Sequence, residues 1–180
     1  ECNFNTSGDT VIHGEDIQRI NVGLVEPKSR VGFERNTWIW EEAQDNENYL
    51  LVADVARGDG ADSSTFHVFK LQTMEIVAEY KGKIPPKEFG NMLVTVATEW
   101  NNALLAIENA NIGWAAIQQV IDREYPNLFY TSKDLQYVDV QHQMSNKYRV
   151  QERNMVPGFS TTQKTRPLIV AKLEEMFREE

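Results

Sequence analysis

The sequence predicts an α/β fold, a mixed sheet covered by helices, and three observations carry that prediction. Apolar runs at roughly 49–56, 64–71 and 74–81 follow one another across short polar turns, as in an antiparallel meander. Behind Pro85-Pro86, residues Phe89, Met92, Leu93, Val96, Ala97 and Trp100 recur at helical spacing, giving one apolar stripe whose plain reading is core packing. The short apolar run Ala103-Leu104-Leu105-Ala106-Ile107 then reads as a buried strand, so helix and strand alternate after the meander.

Composition bounds the answer. The 180 residues are 41% hydrophobic and 10% aromatic, enough for one sizeable core and unlike a disordered chain. No long uninterrupted apolar segment offers a membrane span, and no signal-peptide pattern opens the chain. A single cysteine, Cys2, cannot form an internal disulfide, which fits an intracellular protein. The chain begins at Glu1 without an initiator methionine and ends among charges at Glu180, so it reads as a fragment.

The formal net charge of −9 disfavours nucleic-acid binding taken alone, because phosphate contacts need Lys and Arg. The distribution qualifies this. Residues 1–62 hold 13 acidic and 5 basic side chains, whereas 145–172 hold 6 basic ones against Glu152 alone. A basic stretch beside an acidic turn suits a metal-dependent enzyme acting on a polyanion; an ordinary charge-segregated surface is the plainer alternative.

In chain order, residues 1–30 lack a sustained period and read as a linker, with a short helix near Gly14–Ile20. Trp38-Ile39-Trp40 reads as an edge strand and Asn46-Glu47-Asn48 as a turn. Asn101-Asn102 ends the helix that Pro85-Pro86 opens. Asn111 is the expected cap of the next helix, whose apolar side carries Trp114, Ile117 and Ile121. Leu128-Phe129-Tyr130 is expected as a short strand. From Thr131 to Pro157 the pattern dissolves, apart from a possible hairpin arm at Tyr137–Val140. Thr165 is the expected cap of a last helix, with Pro167 in its first turn and Ile169, Leu173 and Met176 on its apolar side.

The chemistry concentrates where two buried strands end on carboxylates, Asp54 and Glu108. If those strands are neighbours, both acids emerge at one sheet edge, where they repel unless a cation lies between them. No cysteine or histidine accompanies Asp54, so oxygen ligands suited to magnesium or manganese are expected. Asp62 returns toward Asp54 across the turn as a further candidate, while Asp59 at the tip reads as solvated. The plainer alternatives are a turn-capping role for Asp54 and contact with a helix N-terminus for Glu108. His67 reads as a satisfied strand histidine and His142 as a surface one. Ser63 and Ser64 lack a positioned base and make a weak nucleophile case. Gly58-Asp59-Gly60 does not form a phosphate cradle, and no Walker A or dinucleotide glycine motif is present.

One resemblance covers nearly the whole chain. Tyr49-Leu50-Leu51-Val52-Ala53-Asp54-Val55-Ala56-Arg57-Gly58 with Asp62-Ser63-Ser64, then Ala106-Ile107-Glu108-Asn109 and Gly113, resembles the C-terminal nuclease domain of large terminase subunits. These are the DNA-packaging motors of tailed phages, and the likeness is to T-even-like ones in particular. Gly158 to Pro167 and the opening Glu1-Cys2-Asn3-Phe4 are similar to the same family.

The resemblance implies an RNase H-like fold for residues 31–180, truncated at the C-terminus, with 1–30 a linker or the tail of a preceding ATPase domain. It implies a magnesium- or manganese-dependent endonuclease that cuts concatemeric viral DNA during packaging. Asp54 and Glu108 match two of the family's three metal-binding acids and Asp62 an additional one. The third acid usually follows later, and Glu174, Glu175, Glu179 and Glu180 read as a solvated helix end instead. Lys164, Arg166, Lys147 and Arg149 are the expected DNA-backbone contacts. Double-stranded DNA, the portal protein and the small terminase subunit are the implied partners, in the cytoplasm of an infected bacterium. A junction resolvase with the same acids, or a non-catalytic docking domain, are the competing readings.

Overall fold

The computed structural model describes residues 12, 14–132 and 155–179. Their elements are α1 (Gly14–Gly23), β1 (Ser29–Val31), β2 (Thr37–Ile39), β3 (Tyr49–Asp54), β4 (Ser64–Lys70), β5 (Glu75–Gly82), α2 (Pro86–Glu99), β6 (Leu104–Ile107), α3 (Gly113–Asp122), β7 (Tyr130–Ser132), β8 (Met155–Pro157) and α4 (Thr165–Glu179). By packing, the described residues from 27 to 160 make one compact unit, and the described residues before 27 and after 160 make another.

The larger unit is built on a six-stranded sheet in the order β1-β2-β5-β4-β3-β6. The three expected meander strands pair antiparallel, β3 with β4 and β4 with β5, while β6 joins β3 in parallel. The parallel join follows from the crossover: a strand that returns through a helix lies parallel to the one it joins. Beyond β6 the sheet is continued by single parallel bridges, Leu105 to Leu128 and Glu108 to Phe159. Leu128 therefore pairs as expected, although the regular strand β7 begins at Tyr130 and pairs with β8 in a separate two-stranded sheet.

Alternation along β3 decides what is buried. Tyr49, Leu51 and Ala53 point to one face, and that face is covered by α2 and α3. Phe66, Phe89, Leu51, Leu93, Leu105, Ile107 and Ile117 are fully enclosed there. Each such side chain stabilises the fold by about 1.5–3 kcal/mol. The α2 stripe is core, as its period requires, and Trp100 meets Tyr49 edge-on with ring centroids 4.9 Å apart. Pro86 occupies the first turn of α2, and Asn101 and Asn102 end it with φ of 54° and 53°, a left-handed conformation that asparagine tolerates.

Five expectations are corrected. Asn111 does not cap α3: its own backbone is left-handed at φ 45°, and Ile112 precedes the helix without a side-chain cap. The inner face of α3 is Gly113, Ala116, Ile117 and Val120, leaving Trp114 at 46% and Ile121 at 40% exposure. The start of α4 is closed by Thr162, whose Oγ1 accepts from the Thr165 N–H at 3.1 Å while Thr165 Oγ1 accepts from the Thr162 N–H at 2.8 Å. Thr165 is thus the return partner in a capping box and not the cap. Residues 29 and 30, read as linker, belong to the edge strand β1, and 155–157, read as patternless, form β8. Tyr137–Val140, His142, Lys147 and Arg149 lie outside the described residues. Among the described residues no helix is long and apolar enough to cross a membrane.

Candidate metal centre

The two acids come from the ends of neighbouring strands. The β3–β6 register sets Ala53 opposite Ile107, and the Glu108 N–H donates to the Ala53 carbonyl at 3.0 Å. Asp54 and Glu108 are the next residues in that register. Both point away from α2 and α3, because Ala53 and Ile107 point toward them.

On the open side lies a hollow of about 360 Å³ with an apolar floor of Leu50, Val52, Leu104 and Ala106 and walls including Phe129 and Phe159. Asp54, Glu108, Thr65 and His67 border it. Asp54 is exposed at the end of its strand, yet the protein around it partly desolvates its carboxyl. That desolvation, followed by the charge of Glu108, raises its carboxyl above the ordinary value of 3.8. A side-chain hydrogen bond between the two carboxyls raises it further, the Val55 N–H opposes the shift, and the charge of Asp62 contributes least. Two carboxyls facing the same side at neighbouring strand ends mark a place where a cation would be favoured over two separate negative charges.

Each acid is fixed by its surroundings. On the Asp54 side, the buried Ser64 Oγ accepts from the Ala56 N–H at 3.0 Å and pins the turn as it leaves β3. That engagement removes Ser64 from the list of nucleophiles. On the Glu108 side, a Cβ on Gly113 would lie 1.9 Å from the Glu108 carbonyl oxygen, so only glycine admits the approach of α3. Gly158, at φ +81° and with a Cβ position 2.4 Å from the Ile107 carbonyl oxygen, lets the segment after β8 come alongside β6.

The other candidates fall as follows. Asp62 is exposed on the turn, and Asp59 is exposed and bonded to Arg57 at 3.0 Å, a solvated pair. Among the described residues no group of three or more His, Cys, Asp or Glu side chains is arranged to hold an ion. Asp54 and Glu108 stand at neighbouring strand ends, and the charge of Asp62 reaches Asp54 as the smallest of the effects on it. His67, expected as a satisfied strand histidine, lies 3.6 Å from Glu79 across β4 and β5 and borders the hollow. Lys164 and Arg166 are exposed at the start of α4, in the other compact unit. Glu174 and Glu175 pair with Arg178 and Lys172 along α4. Sequence reasoning passed over Asn109 and Ser160 as site residues, although both fall inside the segments that carried the resemblance.

No protein-family model matches the sequence, and no curated protein does. Solved structures match the fold. The large terminase nuclease from thermophilic phage G20c with bound magnesium aligns over 97% of this chain and 72% of that one, with 12% identity and a TM-score of 0.65. Its cobalt-bound form gives 12% identity over the same shares, with a TM-score of 0.64. The large terminase nuclease domain of Thermus phage P74-26 aligns over 67% of this chain and 58% of that one, with 21% identity and a TM-score of 0.47. The chain spans from 51% to 72% of the length of the solved chains it matches. The G20c structures establish the architecture: a mixed six-stranded sheet flanked by helices, the RNase H-like fold of phage large terminase nucleases.

Proposed function

We propose that this chain is the metal-dependent endonuclease domain of a tailed-phage large terminase, of the T-even-like kind, cutting concatemeric viral DNA around packaging. One observation carries the reading: two carboxyls from adjacent parallel strand ends, side by side at the rim of an apolar hollow, on a fold whose solved neighbour holds magnesium. The donor set fits a hard divalent ion, since it is oxygen-only and free of soft ligands.

Asp54 and Glu108 would hold the ion, and Asp62 would serve as an additional ligand or orient the attacking water. A bound magnesium or manganese ion supplies the charge that polarises the scissile phosphate and lowers the pKa of water. The apolar floor beneath the acids limits water on that side, which strengthens the field of both carboxylates. Lys164 and Arg166 would track the DNA backbone. Their place in the first turn of α4 supports this, because positive charge there opposes the helix dipole and contributes nothing to the helix. Lys147 and Arg149 belong to the same proposal. The partners proposed are double-stranded DNA, the portal protein and the small subunit, with an ATPase domain elsewhere in the parent protein and action in the host cytoplasm.

The test is manganese binding by calorimetry together with nicking of supercoiled plasmid, on the 180-residue chain and its Asp54→Asn and Glu108→Gln variants. Binding present in the parent and lost in both variants supports the reading. A parent chain that neither binds manganese nor cuts would leave the acids structural and favour the docking alternative.

A further inference from the structure

We propose that Asn109, with Ser160, is a positioning residue that sets where the Glu108 carboxylate sits; this rests on the metal-binding reading above. Asn109 is 5% exposed, and a buried amide needs every polar atom engaged. Its Nδ2 donates to the Pro157 carbonyl at 3.0 Å, and its Oδ1 accepts from Ser160 Oγ at 2.5 Å. Its own backbone N–H donates to the Phe159 carbonyl at 2.8 Å. One residue therefore grips the 157–160 segment on both sides of Phe159.

That grip bears on the acid through the backbone. Phe159 donates its N–H to the Ile107 carbonyl at 2.8 Å, so the segment lies against the end of β6 on the side away from β3. Glu108 is then held between two neighbours, Ala53 on one side and Phe159 on the other. Pro157 has no N–H to give a ladder, and the regular part of β8 is three residues long. The Asn109 side chain supplies the fixing that a longer ladder would otherwise provide. It does so from the buried side, since side chains alternate along extended backbone and Glu108 points to the open one. Asn109 touches no ligand itself. Phe159, which walls the hollow beside both acids, is fixed by the same bonds.

The test titrates manganese into the 180-residue chain by calorimetry, comparing the parent with Asn109→Ala, Ser160→Ala and Ser160→Thr. Near-ultraviolet circular dichroism confirms the fold of each. Supports around metal ligands typically change affinity by 10–100-fold. Ser160→Ala is expected to weaken manganese about tenfold with its dichroism intact, and Ser160→Thr, which keeps the hydroxyl, to stay within about twofold of the parent. Asn109→Ala removes a buried amide and can lose the fold, so the serine pair decides. Folded Ser160→Ala binding as tightly as the parent, while Asp54→Asn does not bind, overturns the positioning role and leaves the metal site standing. A parent chain that binds no manganese overturns both.

Discussion

Ala53 and Glu108 are joined by a backbone hydrogen bond of 3.0 Å, and that single link decides where the chemistry can be. It continues the parallel pairing of β3 and β6 by one residue, so the carboxyl that follows Ala53 and the carboxyl of Glu108 face the same side. Glu108 follows Asp54 by 54 positions in the sequence, with three strands and a helix between them. The parallel crossover brings the two side chains together, and the fold holds the pair against their mutual repulsion.

The first prediction concerns that repulsion. The folded-state pKa of Asp54 is raised, by burial first and by Glu108 second. A carboxyl with a raised pKa favours the folded state below its unfolded pKa, and this favour is lost as pH rises through the folded value. At pH 7 without metal, Asp54→Asn should therefore be more stable than the parent, by about 0.5 kcal/mol once solvent screening of this exposed group is allowed for. The difference should close below about pH 4, where the parent carboxyl is protonated in both states. Thermal melts in EDTA at both pH values measure it, and adding manganese should raise the melting point of the parent alone. A variant less stable than the parent at pH 7 would contradict the electrostatic account.

Ser64 gives the second. Its hydroxyl holds the Ala56 N–H at 3.0 Å from a fully buried position. Ser64→Ala should cost about 1 kcal/mol, the net worth of one hydrogen bond with its donor left poorly satisfied. The midpoint of urea unfolding reads this directly. An unchanged midpoint would mean that the turn after Asp54 is fixed by other contacts.

Gly113→Ala tests the approach of α3 to the site. In a helix, alanine for glycine ordinarily stabilises by about 0.5–1 kcal/mol. Here the new Cβ would meet the Glu108 carbonyl oxygen at 1.9 Å, a backbone atom that cannot step aside without moving the acid. The clash should outweigh the propensity and leave a net loss of about 3 kcal/mol or more. Chemical denaturation measures the loss. Stabilisation by the substitution would show that the helix start relaxes freely.

These contrasts show what sequence could and could not supply. The meander, the α2 stripe and the two strand-end acids were legible because each rests on local period: alternation for β3, helical spacing for Phe89, Leu93 and Ala97, and an apolar run ending on Glu108. Short elements were not. β1 and β8 have three residues each, too few for a period, and exist because a neighbour offers a hydrogen-bonding edge. The inner face of α3 was misjudged because Trp114 and Ile121 share helical spacing with Ile117, and only the approach to Glu108 settles which side turns inward. Asn109 and Ser160 carried no signal of their own, since a buried amide bonded 51 residues away is invisible until the chain is folded.

The last prediction isolates a buried hydroxyl at the foot of β6. Tyr125 is 8% exposed and donates its hydroxyl proton to the Ala103 carbonyl at 2.6 Å. Burial pushes its pKa up to about 12 from 10.0. The sign follows from that order. Stability from the protonated hydroxyl is complete below the unfolded value near 10 and is lost as pH rises toward the folded value of about 12. At pH 7, Tyr125→Phe should cost about 1–2 kcal/mol, because the Ala103 carbonyl loses its partner in a closed environment. Between about pH 10 and 12 the parent should lose about 2 kcal/mol more than the variant does, so the gap between them narrows or inverts. Guanidinium midpoints for both proteins at pH 7, 10 and 11.5 are the measurement. Tyr80, whose hydroxyl is also pushed up by burial, is common to both proteins, and the comparison removes its contribution. A gap that stayed constant across the range would mean that the Tyr125 proton is not the one being lost.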